Sequence, residues 1–291
     1  ILGESGSGKS VSAQAVMGIL DTPPGFVTQG NVEFKGVDLL KLPEKTMAQE
    51  VRGQKIAMIF QDALTALNPV FTVGWQSGEM LRKHRGVSKK ESKEQAIDLM
   101  ERVKIPDARR RVNAYPHEFS GGMRQRAMIA MALSLDPDVL IADEPTTALD
   151  VTVQAQIMEL LHELQTDTGM GLILITHDLG VVAEVCDRVV VMYAGEIMED
   201  GEINDVYHHP AHPYTLGLMD SIPRTDMHTD RLTPIQGAPP DLLNIPSGCP
   251  FHPRCPFVQE RCTKDQPTPV NIGRDSHESS CFYWEEVQRD R

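Results

Sequence analysis

A glycine-rich loop near the beginning of the chain constrains the fold more than any other feature. Residues 3–10 read Gly-Glu-Ser-Gly-Ser-Gly-Lys-Ser and fit the pattern G-x-x-x-x-G-K-[ST]. Glycines allow successive backbone N–H groups to turn toward a phosphate, and the following helix offers its positive N-terminal end. Such a loop joins a strand to a helix and predicts an α/β fold that binds a nucleotide. The predicted nucleotide-binding residues are Gly3, Glu4, Ser5, Gly6, Ser7, Gly8, Lys9 and Ser10.

An apolar segment farther along the chain ends in two carboxylates and predicts the rest of the site. Residues 139–142 are Val-Leu-Ile-Ala, and Asp143 and Glu144 follow them. In an open parallel sheet, ligands bind at the carboxyl ends of the strands. We expect Asp143 to hold Mg²⁺ together with the Ser10 hydroxyl, while Lys9 reaches the β- and γ-phosphates. Glu144 is expected to orient the attacking water or to accept its proton.

Four further segments are weak signals one by one, because each could be a polar end of a strand or a helix cap. Ser120 can cap a helix-forming run, and the glycine pair after it leaves N–H groups free to meet an anion. Only their order along the chain makes these segments indicative of a particular class of protein. In chain order they are Gln61, Ser120-Gly121-Gly122, Ala148-Leu149-Asp150 and His177.

The complete series resembles the motifs of ABC-transporter ATPases over residues 1–205. The resemblance identifies the loop as a Walker A motif, Gln61 as the Q-loop residue and a further Mg²⁺ ligand, and His177 as the switch histidine. It makes Ser120-Gly121-Gly122 the signature motif and Asp150 part of the D-loop. It implies two such domains in a head-to-tail dimer, with ATP between the Walker A loop of one and the signature motif of the other.

Other segments resemble the peptide-importer branch, with the D-type ATPase of oligopeptide importers first and dipeptide importers next. They are residues 115–126, 142–152, 212–215 and 248–256. The resemblance implies ATP hydrolysis that drives peptide uptake. It also implies a second ATPase subunit in a heterodimer, two membrane permease subunits and an extracytoplasmic peptide-binding protein. The chain would then lie as a peripheral subunit on the cytoplasmic face of the cell membrane.

The expected fold class is α/β, with a P-loop NTPase (ABC ATPase) core, an inserted helical subdomain and a Cys/Pro-rich C-terminal extension. We expect the nucleotide-binding core in residues 1–68 and 137–205, the helical subdomain in 69–136 and the extension in 206–291. Helices are expected at residues 89–103 and 123–135. Ile1 and Leu2 resemble the end of a strand, so we expect its beginning to precede Ile1. The resemblance to ABC-transporter ATPases implies that an adenine-stacking aromatic also precedes Ile1.

Four of the five cysteines lie in the extension, at Cys249, Cys255, Cys262 and Cys281. Their spacing is wider than that of usual zinc ligand pairs, and Cys-Pro steps also occur in iron–sulfur proteins. Spacing alone leaves an iron–sulfur cluster, structural zinc and free thiols equally open. The peptide-importer resemblance favours a [4Fe–4S] cluster, with zinc as the alternative. We expect this region to be distant from the loop at residues 3–10, and Cys186 to be a buried thiol.

Charge and hydropathy exclude several classes of protein. The 291 residues carry a formal net charge of −13, which argues against a nucleic acid partner. Apolar runs are too short to span a bilayer, and no signal-peptide pattern is present, so a reducing cytosol is expected.

Two alternative functions stay open. One is an importer of another small solute of the same branch, such as nickel or a glycopeptide. The other is a soluble ABC ATPase acting on ribosomes or DNA, which the single Walker A match and the absence of a long heptad pattern disfavour. A half-site that only binds nucleotide is disfavoured because Glu144 and His177 are both present.

Overall fold

The protein is described by a computed structural model that covers residues 1–147, 149–221, 235–273 and 276–289. Ala148, expected in the D-loop, lies outside these residues. The chain divides into two compact units, Ser10–Ile175 and a second that joins Ile1–Lys9 to Thr176–Arg291. Each unit is described by itself. Within the described residues, no helix is long and apolar enough to cross a membrane.

A parallel sheet forms the centre of the unit Ser10–Ile175, with β4 (Val139–Asp143) between β3 (Ile56–Ile59) and β5 (Gly171–Ile175). Residues of β4 are almost all buried, as the apolar segment before Asp143 predicts. Val139 of β4 pairs with Ile56 of β3, and Asp143 at its other end pairs with Ile175 of β5. The strands of this unit are β1 (Glu33–Phe34), β2 (Val37–Asp38), β3 (Ile56–Ile59), β4 (Val139–Asp143) and β5 (Gly171–Ile175).

Helices account for most of the rest of this unit. The expected helix at residues 89–103 is confirmed as α6, which Ser88 caps and which buries Ala96, Ile97 and Met100 on one face. The helices are α1 (Lys9–Met17), α2 (Glu44–Thr46), α3 (Ala63–Ala66), α4 (Val73–Ser77), α5 (Glu79–Arg85), α6 (Lys89–Arg102), α7 (Ala108–Arg111), α8 (Gly121–Ala132) and α9 (Val151–Thr168).

The second unit contains an antiparallel sheet. Its strands lie in the order β6 (Arg188–Tyr193), β7 (Glu196–Glu202), β9 (Glu278–Ser279) and β8 (Val270–Asn271). Ala194 and Gly195 connect β6 to β7 and both have positive φ, which fits a two-residue hairpin turn. Strands of the extension join this sheet, because Glu199 of β7 pairs with Ser279 of β9. The strands are β6 (Arg188–Tyr193), β7 (Glu196–Glu202), β8 (Val270–Asn271) and β9 (Glu278–Ser279), and the helices are α10 (Leu179–Val185), α11 (Ile203–His208), α12 (Pro213–Asp220), α13 (Glu260–Lys264) and α14 (Trp284–Arg289).

The core of the second unit contains residues from both of its chain segments. Leu2 forms parallel bridges with Thr176 and Val191, so the residues before the glycine-rich loop act as a strand of this unit. Leu2, Tyr214 and Phe251 are all buried in one apolar cluster. The extension therefore contributes side chains to a hydrophobic core. Cys186 is expected to be buried, but it is only half-buried, because it packs against the edge of this cluster from the C-cap position of α10.

Candidate nucleotide site

The glycine-rich loop packs against the β6–β7 hairpin. A Cβ atom on Gly3 would overlap the carbonyl oxygen of Met192, so only glycine fits there. The N–H of Gly195, in the hairpin turn, donates to the carbonyl of Ser7 at 2.9 Å. Gly8 has a φ of +100°, which other residues rarely adopt. The hairpin thus fixes the path of the loop at both of its ends.

Lys9 points back into its own loop. Its ammonium donates to the carbonyl oxygens of Gly3 at 2.7 Å and Glu4 at 2.9 Å, and lies 3.4 Å from the Ser7 hydroxyl. The residue is only 5% exposed. Because carbonyl oxygens of the loop hold this cation, its position depends on the conformation of Gly3 and Glu4.

Ser10 and Asp143 meet in the unit Ser10–Ile175, although 133 residues separate them. The hydroxyl of Ser10 donates to Oδ1 of Asp143 at 2.9 Å, and Asp143 is buried. Mg²⁺ in nucleotide sites binds one or two protein oxygens of this kind together with substrate phosphates, and it does not need a complete protein cage. The two residues therefore fit the predicted Mg²⁺ site.

Glu144 is held at the end of β4 by both backbone and side-chain contacts. Its N–H donates to the carbonyl of Ile175 at 2.9 Å, and its φ is +43°, an uncommon conformation for a side chain of this kind. Its Oε2 accepts hydrogen bonds from the amide of Gln61 and the hydroxyl of Thr147, both at 2.9 Å. The structure brings the predicted Gln61 and Glu144 together.

Thr147 has a role at this site that the sequence did not reveal. It lies three residues after Glu144, and its hydroxyl contacts the same carboxylate oxygen as Gln61 does. A threonine so close to a carboxylate at a strand end was a usable signal, because a hydroxyl at that spacing can reach back to the acid.

Signature and D-loop residues have local structural roles in this unit. The Ser120 hydroxyl accepts from the N–H of Met123 and caps α8, as expected. A Cβ on Gly122 would lie 2.7 Å from a methyl group of Val153, so this helix start packs closely against α9. Asp150 caps α9 by accepting from the N–H of Val153 at 3.0 Å.

His177 lies in the other unit, where it follows the bridge residue Thr176 and is exposed. The next residue, Asp178, caps α10 through the N–H groups of Gly180 and Val181. The sequence predicts His177 after an apolar strand, and β5 ends two residues before it in the chain. Gly3 to Lys9 belong to the same unit as His177.

The four cysteines of the extension line one apolar cavity of about 20 Å³. None of them forms a disulfide. Burial raises the pKa of Cys255 and of Cys281 to about 12, so both thiols are protonated at neutral pH. Across the described residues, no group of three or more His, Cys, Asp or Glu side chains is arranged to hold a metal ion.

Thiols are suitable donors for a metal cluster, but the cavity has room for only about one water molecule. The described arrangement of the four cysteines is therefore not that of a formed [4Fe–4S] or zinc site. The cavity would have to widen to accept a cluster.

The expectation that the extension is distant from the glycine-rich loop is wrong. Arg254, which lies between Cys249 and Cys255, forms an ion pair with Glu4 at 2.6 Å. The backbone N–H of Glu4 donates to the hydroxyl of Tyr214 at 2.8 Å. The reason is topological. The loop packs against the hairpin of β6 and β7, and the extension packs against the same two strands.

Comparisons with known proteins agree with this geometry. Residues 1–147 match the family model described as ABC transporter, and residues 198–262 match the one described as oligopeptide/dipeptide transporter, C-terminal region. The dipeptide transport ATP-binding protein DppD of Bacillus subtilis is 53% identical over 289 residues, which cover 99% of this chain and 85% of that protein.

The oligopeptide transport ATP-binding protein OppD of Salmonella typhimurium is 53% identical over 267 residues, which cover 92% of this chain and 79% of that protein. Among solved structures, the dimeric post-hydrolysis state of the ATP-binding cassette MJ0796, bound to ADP and Pi, is similar with a TM-score of 0.60. The sequences are 28% identical, and the match covers 69% of this chain and 83% of that one.

Proposed function

Because the chain belongs to the ABC transporter family, we propose that it is the ATP-hydrolysing subunit of an importer of oligopeptides or dipeptides. Family membership confirms the expected ABC cassette fold and ATPase activity. The observation that carries the substrate class is the match of residues 198–262 to the C-terminal region of oligopeptide/dipeptide transporters. The description of the first family model names no solute, whereas that of the model matching residues 198–262 names oligopeptides and dipeptides.

The contacts support a mechanism for the hydrolytic step. The loop N–H groups and Lys9 bind the β- and γ-phosphates, and Lys9 needs only to extend from carbonyls that already hold it. Ser10, Asp143 and Gln61 would hold Mg²⁺, which would supply positive charge to neutralise the phosphates. Glu144 orients the attacking water and accepts its proton.

Residues away from this centre complete the proposed site. His177 contacts the γ-phosphate from the end of the β5 segment. Ser120, Gly121, Gly122 and Asp150 act across a dimer interface, on ATP bound to the Walker A loop of a second subunit. The start of α8 supports the assignment of Ser120, Gly121 and Gly122, because a helix start offers N–H groups to an anion.

The proposed assembly contains a second ATPase subunit in a heterodimer, two membrane permease subunits and an extracytoplasmic peptide-binding protein. The chain lies on the cytoplasmic face of the cell membrane as a peripheral subunit. The helical region at residues 69–136 docks on the permease, and movement of the Gln61 region transmits hydrolysis to it. A net charge of −13 supports the expectation that nucleic acid is not a partner.

Uptake of labelled di- and oligopeptides tests the function in cells that lack their own copy of this subunit. We expect the chain to restore uptake, Glu144→Gln to abolish it, and Glu159→Gln, a change at an exposed position of α9, to leave it unchanged. Restored uptake of nickel or of a glycopeptide, without peptide uptake, would show that the chain serves an importer of another solute of the same branch. Co-purification with ribosomes or DNA, and not with membrane proteins, would overturn the transport function.

For the extension, we propose that Cys249, Cys255, Cys262 and Cys281 bind a [4Fe–4S] cluster, with zinc as the alternative. The support is that four thiols without disulfides line the same cavity. Protein purified anaerobically should then contain about four irons per chain and absorb broadly near ~400 nm. Cys255→Ser should remove both signals, whereas Cys186→Ser should keep them. One zinc per chain would favour the alternative, and metal-free protein with an ordered extension would exclude both.

A further inference from the structure

We propose that Arg254 and Tyr214 are positioning residues of the glycine-rich loop, which set its affinity for ATP by holding Glu4. Both lie beyond the matched cassette at residues 1–147. The inference rests on the proposed role of the loop in binding ATP and does not depend on which solute the importer carries.

Arg254 holds the side chain of Glu4 through two hydrogen bonds. Its Nη1 donates to Oε2 at 2.6 Å, and its Nη2 donates to Oε1 at 3.1 Å. The Arg254 side chain is 5% exposed and that of Glu4 is 27% exposed. A bidentate interaction between a guanidinium and a carboxylate is strong and directional. The low exposure of this pair limits its screening by salt.

Arg254 is itself anchored on more than one side. Its Nε donates to the carbonyl of Gln236 at 3.0 Å, and its Nη1 lies 3.3 Å from the hydroxyl of Tyr193. Its backbone N–H donates to the carbonyl of Phe251, a fully buried residue. The guanidinium therefore has little freedom to move, and it constrains Glu4 accordingly.

Tyr214 holds the backbone of Glu4. Its hydroxyl accepts from the Glu4 N–H at 2.8 Å. The ring is fully buried and packs against Tyr193 at 4.7 Å and Phe251 at 5.3 Å between ring centres. Arg254 and Tyr214, which hold the side chain and the backbone of Glu4, both contact Tyr193.

Glu4 links these contacts to Lys9, the cation that is proposed to bind the phosphates. The carbonyl of Glu4 accepts from the Lys9 ammonium at 2.9 Å. A displacement of Glu4 would move this carbonyl and with it the cation that meets the phosphates. Arg254 also neutralises the carboxylate of Glu4, which would otherwise repel the polyanionic nucleotide.

Substitution of Arg254 tests both effects. We expect Arg254→Gln to raise the Kd for ATP about tenfold, since it leaves the Glu4 charge unpaired beside the phosphates. The kcat at saturating ATP should stay within about twofold, because the catalytic contacts of Glu144 are untouched. Adding Glu4→Gln should restore most of the affinity, because it removes the repelling charge. Tyr214→Phe, which preserves the packed ring, should raise the Kd about threefold through one lost hydrogen bond.

The control is Arg188→Gln. Arg188 makes a similar bidentate pair with Asp200 in the same unit, at 2.9 and 2.8 Å. Its other side-chain hydrogen bonds in the described part of the chain are to Ser276, and none is to the glycine-rich loop. The variant Arg188→Gln should lower the midpoint temperature of unfolding and leave the Kd for ATP unchanged.

The proposal is overturned if Arg254→Gln and Tyr214→Phe both leave the Kd within twofold of the parent protein. If Glu4→Gln restores no affinity to Arg254→Gln, the loss is due to the displacement of Glu4 alone, which supports the positioning role. Lys9→Ala, measured in parallel, separates failure of the proposal from that of the loop assignment, because unchanged binding in Lys9→Ala would instead show that ATP binds elsewhere.

Discussion

The side-chain amide of Gln61 donates a hydrogen bond to Oε2 of Glu144 at 2.9 Å, across 83 residues of sequence. Gln61 follows β3, Glu144 follows β4, and the two strands are parallel neighbours. Residues at the carboxyl ends of such strands meet at one edge of the sheet. In the proposed function, the region that communicates with the permease therefore holds the carboxylate that orients the attacking water.

Glu144→Gln should leave ATP binding intact and lower turnover by a factor of ~10² or more, because it removes the base and retains the shape of the side chain. The variant should accumulate in a closed, ATP-bound dimer. Steady-state hydrolysis and size-exclusion chromatography with ATP measure the two effects. A variant that hydrolyses ATP at close to the parent rate would show that the catalytic carboxylate is another residue.

Thr147→Val should lower kcat about fivefold, because the Glu144 carboxylate loses one hydrogen bond worth about 1 kcal/mol. The KM for ATP should not change. Thr166→Val, at an exposed threonine of α9 whose hydroxyl bonds only its own helix, is the matched control. An equal kcat in Thr147→Val and Thr166→Val would mean that Gln61 alone suffices to hold the carboxylate.

Lys9→Ala should weaken ATP binding about 100-fold or more, since it removes a point charge that reaches the terminal phosphates. Titration with a fluorescent ATP analogue measures the loss. Lys45→Ala, at an exposed lysine of α2, is expected to bind like the parent protein. Unchanged affinity in Lys9→Ala would contradict the assignment of the loop.

Motifs and apolar strands could be predicted from the sequence because they are local. The strand before Asp143 and the cap at Ser120 follow from residue type and spacing, and the structure confirms both. The meeting of Ser10 with Asp143 followed from motif order together with the rule for parallel strand ends. Each of these inferences needs only a short segment or one general rule of topology.

The contact of Glu4 with Arg254 could not be predicted in that way. It spans 250 residues, and neither residue type nor spacing indicates a partner at that separation. The strands of the extension were also missed, because β8 and β9 have two residues each and give no alternating pattern. Both features depend on the packing of the extension against β6 and β7.

A buried carboxylate fastens the extension to β7. Glu199 accepts from the backbone N–H groups of Ala211 at 2.7 Å and His212 at 3.0 Å, and it pairs with Nε2 of His277 at 2.8 Å. Glu199 and His277 are essentially inaccessible to solvent. Burial lowers the pKa of His212 to about 3, so that imidazole is neutral, and its Nδ1 accepts from the N–H of Tyr214.

Glu199→Gln should lower the free energy of unfolding by about 2–4 kcal/mol, because an amide replaces a carboxylate whose two oxygens are shared by three buried partners. The amide group would also direct an N–H toward one of these partners. Urea titration followed by circular dichroism measures the loss, and Glu202→Gln, at an exposed position of the same strand, should change stability by less than about 0.5 kcal/mol. Because Ala211 and His212 directly precede the helix that carries Tyr214, the variant should also weaken ATP binding slightly. Equal unfolding midpoints for the two variants would show that the carboxylate does not fasten the extension.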